Sequence, residues 1–224
     1  MITDYHTHVL PGIDDGACNK DMSLKMLQLL KMQGVNQVIA TPHFYAHRES
    51  SVECFLKKRQ QSLEQIEEIS PLPVLTGAEI YIEHGISEMQ GLEKLAIQGT
   101  NLILLELPYM KYEKWISEEI YNISAEYGLK VILAHIHRYI EYYSNEQMKQ
   151  ILYTDAVFQI NNEAFESLSQ RSFVKSLIKQ NKPVVFGSDC HNVTERKPNW
   201  KLVKRKCNPD ILENASRILK KYEK

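Results

Sequence analysis

MITDYHTHVLPGIDDGA, residues 1–17, joins a short apolar run to a polar end, and the reading of that junction decides the fold. Residues 2–6 read as a strand. Side chains two apart on a strand share a face, so Asp4, His6 and His8 are expected to project together. Pro11, Gly12 and the triplet Asp14-Asp15-Gly16 follow as a loop. Taken alone, a His-x-His pair is most often a solvated strand edge. It gains weight because the same junction recurs along the chain.

Apolar, often β-branched runs fall at 2–6, 36–41, 73–81, 101–106, 130–135, 156–160 and 183–187. Helical periodicity fills the gaps. Met22, Met26, Leu29 and Leu30 share a face in the first helix, which Gly34 ends, and Val52, Phe55, Leu56, Leu63 and Ile66 do so within 51–69. Segments 113–128 and 162–180 behave alike, with Gly128 and Asn181 as stops. Asn208-Pro209 opens a last helix whose Ile211, Leu212, Ala215, Ile218, Leu219 and Tyr222 form a stripe that should pack on the body. Strands alternating with helices, without a Gly/Ser-rich linker, imply parallel βα units in one domain over residues 1–224. That periodicity alone does not separate an open sheet from a barrel.

The strand ends carry the chemistry. After His6-x-His8 come Thr41-Pro42-His43, Gly77-Ala78-Glu79, Glu106-Leu107-Pro108, Ala134-His135-Ile136-His137-Arg138, Gln159-Ile160-Asn161-Asn162 and Gly187-Ser188-Asp189-Cys190-His191. All but the sixth carry His, Asp or Glu, while the strand bodies are apolar. In a βα barrel these ends meet at one rim, where active sites form. Burying so many ionisable groups together needs compensating charge, and divalent cations supply it. Imidazole with carboxylate and no thiolate suits zinc, manganese or iron. A single Glu79 or His135 is explained as well by a salt bridge or a satisfied core histidine; the repetition is not.

Composition narrows the alternatives. With 43% hydrophobic and 25% charged residues the chain is an ordinary globular protein. A net charge of -1 argues against a general nucleic-acid surface, and the basic group Lys201, Lys204, Arg205 and Lys206 reads as a solvated face. No apolar run approaches the roughly 20 residues of a membrane span, and no charged-then-apolar leader opens the chain. Cys18, Cys54, Cys190 and Cys207 are scattered, as expected of reduced thiols, so a cytoplasmic location is expected.

In order, H-x-H, D-D-G, T-P-H, G-x-E, E-L-P, A-H-x-x-R and G-S-D-x-H resemble the polymerase-and-histidinol-phosphatase (PHP) superfamily. More closely, HTHVLPGIDDGA, ELP and GSDCHN are similar to its bacterial protein-tyrosine phosphatases that accompany capsule and exopolysaccharide synthesis. The resemblance covers residues 1 to about 198. It implies an α/β fold, a distorted seven-stranded βα (TIM-like) barrel, with a three-metal cluster of manganese, or else iron or zinc. By motif, the ligands would be His6, His8, Asp15, His43, Glu79, Glu106, His135, Asp189 and His191, with Asp14 a turn-forming neighbour of Asp15. The family's two phosphate-binding arginines fall on Arg138 and Arg196. His137, Glu195, Lys197, the loop FYAHRES after His43 and the segment beyond Trp200 depart from the family pattern.

Cys190 and Arg196 also fit C-x5-R, the signature of cysteine-dependent tyrosine phosphatases, but such a match arises by chance about one time in eight in a chain of this composition. The intervening loop has no glycine to curl amides around phosphate, and Asp189 and His191 bracket the cysteine. Metal-assisted hydrolysis is therefore expected, with Arg138 and Arg196 gripping phosphate and His137 or a water as proton source. Phe44, Tyr45, Arg48 and Tyr109 would face a phosphotyrosine ring and its peptide, or else pack within loops. The expected substrate is a phosphotyrosine protein, the tail of a bacterial tyrosine kinase of polysaccharide synthesis. Competing readings are a small-molecule phosphatase such as histidinol-phosphate phosphatase, a phosphodiester nuclease, and a non-catalytic phosphotyrosine-binding regulator.

Overall fold

Parallel strand segments and helices alternate through residues 1–224 of the computed structural model. In chain order they are β1 (Thr3–Thr7), α1 (Lys20–Met32), β2 (Gln37–Ala40), β3 (His43–Phe44), α2 (Val52–Glu64), β4 (Val74–Thr76), β5 (Glu79–Tyr81) and β6 (Leu102–Glu106). Then follow α3 (Lys114–Tyr127), β7 (Lys130–Leu133), α4 (Asn145–Leu152), β8 (Val157–Asn161), α5 (Leu168–Lys179), β9 (Val184–Gly187), α6 (Trp200–Lys206) and α7 (Pro209–Lys221). No helix is long and apolar enough to cross a membrane.

The segments make seven staves. β2 and β3 are one stave interrupted at Thr41-Pro42, and β4 and β5 are another interrupted at Gly77-Ala78. Hydrogen bonds carry the ladder across both gaps: Gly77 N–H donates to Ala40 O at 2.8 Å and Glu79 N–H to Pro42 O at 3.0 Å. One ladder runs β1-β2-β4 and the other β3-β5-β6-β7-β8-β9. They close into a barrel where β1 meets the chain after β9, through His8 N–H to Cys190 O (3.0 Å) and Asp189 N–H to His6 O (2.8 Å). The expected continuous strand over 73–81 is thus two pieces. The break falls at Gly77, where a Cβ would press on the Ile97 side chain at 3.2 Å.

Two apolar layers hold the barrel. A large core packs the helices on the outside of the staves, and ten buried residues, among them Tyr5, Ile39, Leu104, Ile132, Val157 and Val185, fill the interior. α7 seals the interior at the end where the strands begin. Its Leu219 joins the inner cluster, and the Tyr5 hydroxyl donates to Ala215 O and accepts Leu219 N–H, both at 2.9 Å. Asn208 caps α7 ahead of Pro209, as the sequence pattern indicates. The helix expected over 162–180 divides into a 3-10 turn at Asn162–Phe165 and α5, and that expected over 51–69 ends at Glu64. α4 has a Ser144–Gln147 capping box but only eight residues, too few for a periodic signal.

Candidate metal centre

The expected donors reach one place, each by a local device. β1 shifts register between Asp4 and Thr7, so a simple alternation does not hold there. Asp4 consequently does not project with His6 and His8. Its carboxylate turns to the outer layer, accepting the Trp200 indole N–H at 2.6 Å, Ser188 N–H at 2.8 Å and His6 N–H at 3.3 Å. The loop after β1 folds back on His8, with Ala17 N–H donating to His8 O at 3.0 Å. A Cβ at Gly16 would stand 2.3 Å from that same oxygen, so the third residue of Asp14-Asp15-Gly16 has to be glycine. His135 and Asp189 sit at positive φ (29° and 49°), conformations that are strained for their residue types and that cluster at functional sites.

Together the nine residues form overlapping groups: His8, Asp15, His43 and His191; His6, Glu79 and His135; His6, His8 and Asp189; and His43, Glu79 and Glu106. Glu79 is the hub. Its Oε2 lies 3.0 Å from His6 Nε2, 3.3 Å from His8 Nε2 and 3.1 Å from His43 Nδ1, and its Oε1 is 2.8 Å from His135 Nε2. Glu106 reaches His135 Nε2 at 3.4 Å. Asp189 Oδ1 stands 3.4 Å from His8 Nε2 and 3.5 Å from His191 Nδ1. Asp15 Oδ1 is 3.4 Å from both His43 Nε2 and His191 Nε2. Asp15 is the exposed member; Glu79 and Asp189 are buried.

Charge and proton placement in the cluster fit divalent cations. Burial opposes ionisation of Glu79, yet the His6, His135 and His8 rings overcome it and hold its carboxyl well below the usual range. Burial likewise works against a charged His8, but Asp14 reverses this and raises the ring well above its ordinary value. For His135, Glu106 and Glu79 override burial and carry it up to about 9. The three buried carboxylates, Glu79, Glu106 and Asp189, bunched among imidazoles, thus call for positive charge at their centre, as protons or as metal. The outer nitrogens are engaged in a way that frees the inner ones. His8 Nδ1 donates to Asp14 Oδ2 at 2.7 Å, and His191 Nδ1 to the Asp189 carbonyl at 3.0 Å. A cation replacing the inner proton would find their Nε2 lone pairs facing inward, the arrangement by which outer partners orient metal-ligating histidines. Glu79 Oε2 and His191 Nε2 are buried with no aligned hydrogen bond, although imidazole nitrogens and carboxylate oxygens lie within 3.5 Å of them. Buried donor atoms left without a hydrogen bond at the centre of such a cluster suit a cation.

Both arginines stand at this rim, on Asp189. Arg138 donates to Asp189 Oδ2 at 2.9 Å and Glu163 Oε1 at 2.7 Å, and Arg196 donates to both Asp189 oxygens at 3.0 Å. Neither is clear of the expected ligand set. The loop carrying Glu195 and Lys197 is pinned by Asn192, whose side-chain oxygen accepts Thr194 N–H and Arg196 N–H at 2.9 and 3.0 Å. This turns Arg196 back to the rim. Tyr45 stacks on His43 (5.4 Å between centroids) with the Arg48 guanidinium 4.4 Å from its ring. Together with Asp15 and His43 they line a cleft of about 330 Å³. Tyr109 sets its hydroxyl 3.2 Å from His135 Nδ1.

Other expectations give way. Phe44 is buried edge-on against Phe55, 5.0 Å between centroids, so it belongs to the outer core and not to the mouth. His137 is also buried, with neither ring nitrogen hydrogen-bonded and Glu163 3.7 Å away, which removes it as a proton source. Cys190 is fully buried, and burial pushes its thiol well above the ordinary value, the opposite of an activated nucleophile. C-x5-R is therefore a coincidence here. Asp14 is more than a turn residue: beyond His8 it accepts Gly16 N–H at 2.9 Å and His43 N–H at 3.1 Å. Gln159, Asn161 and Glu163, on and just beyond β8, also join the network. Their signal was polar side chains two apart at the end of an otherwise apolar strand.

Residues 2–220 match the family described as capsular polysaccharide synthesis, CpsB/CapC. The tyrosine-protein phosphatase YwqE of Bacillus subtilis is 28% identical over 86% of this chain and 78% of its own length. The tyrosine-protein phosphatase CpsB of Streptococcus agalactiae is 25% identical over 98% of both chains. Among solved structures, one from the pair YwqE of B. subtilis and CpsB of Streptococcus pneumoniae, described as unique metal-dependent tyrosine phosphatases, superposes with a TM-score of 0.75. It shares 25% sequence identity and covers 99% of this chain and 95% of its own. On these grounds the chain belongs to the CpsB/CapC family of capsular polysaccharide synthesis proteins.

Proposed function

We propose that the chain is a metal-dependent protein-tyrosine phosphatase of PHP type, acting on the tyrosine-rich tail of a kinase of polysaccharide synthesis, with manganese in a three-ion centre. The observation that carries this reading is the convergence of eight further histidine and carboxylate donors about Glu79, beneath two arginines, in a chain related to phosphatases of that kind. His6, His8, Asp15, His43, Glu79, Glu106, His135, Asp189 and His191 would hold the ions. Bound there, divalent cations supply Lewis acidity toward phosphate oxygens and lower the pKa of water.

The chain's own residues orient and neutralise. Arg138 and Arg196 leave Asp189 in part to grip the phosphate and offset charge developing in the transition state. Asp14 keeps the His8 Nε2 lone pair turned inward. The phenol of tyrosine has a pKa of about 10, far below an aliphatic alcohol, so it departs without a strong acid. This agrees with a mouth in which His137 plays no part. Cys190 contributes nothing to the reaction.

The test is a substrate panel at equal concentrations: a phosphotyrosyl peptide, a phosphoseryl peptide and histidinol phosphate, with Mn²⁺. Phosphate release should be fastest from phosphotyrosine, should vanish with a chelator and should return with Mn²⁺. Faster turnover of histidinol phosphate would overturn the substrate assignment, and full activity in chelator would overturn the metal reading.

A further inference from the structure

β8 contributes none of the nine expected ligands, yet it buries Gln159 and Asn161 completely on its inward face. The hydrogen bonds there have a readable direction. The backbone N–H of His135 can only donate, and it lies 2.6 Å from one end of the Gln159 side chain, which must be the oxygen. Its other end is the NH2, 2.8 Å from the Asn161 side-chain oxygen. The Asn161 NH2 then meets Asp189 Oδ2 at 2.8 Å and Glu163 Oε1 at 3.0 Å, both acceptors. The assignment is consistent from both ends, so neither amide can be flipped.

The same Gln159 oxygen lies 3.1 Å from His6 Nδ1. That nitrogen must carry a proton, so Nε2 is the nitrogen that can offer a lone pair to a cation; it faces Glu79 Oε2 at 3.0 Å, His8 Nε2 at 3.1 Å and Asp189 Oδ1 at 3.6 Å. Gly187 makes the room: a Cβ there would stand 2.6 Å from the His6 Cβ and 2.8 Å from Gln159 Nε2.

We propose that Gln159 and Asn161 are positioning residues, a one-way amide relay that holds His6 with its proton on Nδ1 and presents Nε2 to a divalent cation. The relay ties the orientation of His6 to that of Asp189, so a ligand on β1 and one beyond β9 are set together. The inference rests on the reading of His6 as a metal ligand. Two amides that merely satisfied buried backbone would not govern which His6 nitrogen binds.

The test uses Zn²⁺, which is diamagnetic, with the whole chain labelled with 15N-histidine. Long-range 1H–15N spectra of the Zn²⁺-loaded protein should show the metal on His6 Nε2 and the proton on Nδ1. By calorimetry, Gln159→Leu should bind Zn²⁺ about 10- to 100-fold more weakly. Gln159→Glu keeps the acceptor toward both His135 N–H and His6 but loses the NH2 that donates to Asn161 Oδ1, so it should keep the metal on His6 Nε2 and lose less affinity than Gln159→Leu. Zinc on His6 Nδ1, wild-type affinity in Gln159→Leu, or equal losses in the Leu and Glu variants would overturn the relay. If Gln159→Leu fails to fold by thermal melt, the wild-type spectrum and Gln159→Glu decide. A wild-type chain that takes up no Zn²⁺ would overturn the underlying metal reading instead.

Discussion

Arg138→Ala is the substitution that best separates substrate binding from metal binding. The guanidinium, about one-third exposed, is shared between Glu163 Oε1 and Asp189 Oδ2. Its removal orphans neither acceptor, because Asn161 Nδ2 remains on both at 3.0 and 2.8 Å and Arg196 remains on Asp189. Hydrogen bonds to charged groups contribute about 1.5–3 kcal/mol when well shielded, and partial exposure reduces that, so a loss of about 1 kcal/mol in stability is expected. The kinetic effect should be larger. A donor aimed at charge developing in the transition state is worth about 2.7–4 kcal/mol, or 10²- to 10³-fold in kcat. Metal content should not fall, since removing a cation beside Asp189 leaves that carboxylate freer to bind another. His135→Ala, by contrast, should lose metal and rate together. Kinetics on a phosphotyrosyl peptide would be read beside metal analysis of the same samples. Arg138→Ala within about threefold of wild type in kcat/KM would refute the phosphate role, since a contact made in the transition state cannot be so cheap to lose. Metal loss in proportion to rate loss would show that the arginine serves the ligand set alone.

Cys190→Ala should keep full metal content and near-wild-type turnover, because the thiol is buried and touches no expected substrate position; Ala is preferred to Ser, whose hydroxyl would be buried beyond reach of water. An inactive, metal-replete Cys190→Ala protein would restore the C-x5-R reading. Leu219→Ala, in the helix that seals the far end of the barrel, should lower stability by about 2–5 kcal/mol, a drop in Tm on the order of 5–15 °C for a chain of this size. Below the melt its metal content should be unchanged, because the plug and the cluster lie at opposite ends of the staves.

What the sequence made legible was the contrast between apolar strand bodies and ionisable strand ends, because burial leaves that contrast in residue types alone. His6, His8, His43, Glu79, Glu106, His135, Asp189 and His191 could be picked out by it, and the family motif chose Asp15 over Asp14. Distances are not written in residue types. The two arginines could therefore be placed at the rim without revealing that both bear on Asp189. Asp4 departs from the expected face because alternation assumes a regular strand, and β1 shifts register within five residues. Phe44 follows a ligand in sequence, yet points to the opposite side from it and into the core. Gln159 and Asn161 are weak signals in the sequence because neutral amides are common at strand ends; they become informative only when a backbone donor fixes which way they point.

Five of the nine expected ligand positions fall where the barrel stops being regular. His43 follows the interruption at Thr41-Pro42, and Glu79 follows the one at Gly77-Ala78. His135 and Asp189 each take a positive φ just past a strand end, and His6 lies in the register shift of β1. A regular strand turns alternate side chains away from the interior, so neighbouring donors could not all be aimed inward without such breaks. Strained residues of this kind cost of order 1–3 kcal/mol each and persist only where surrounding structure holds them. Here the holding is done by the barrel itself. The two hydrogen bonds that join β1 to the chain beyond β9 are made by backbone groups of His6, His8, Asp189 and Cys190, three of them expected ligands. Closing the barrel and assembling the cluster are thus one event: a chain that fails to bring β9 back to β1 lacks the site, and cations gathering those side chains would pull the same two staves together. The distortion of the barrel is what lets so many short strands aim their ends at a single carboxylate.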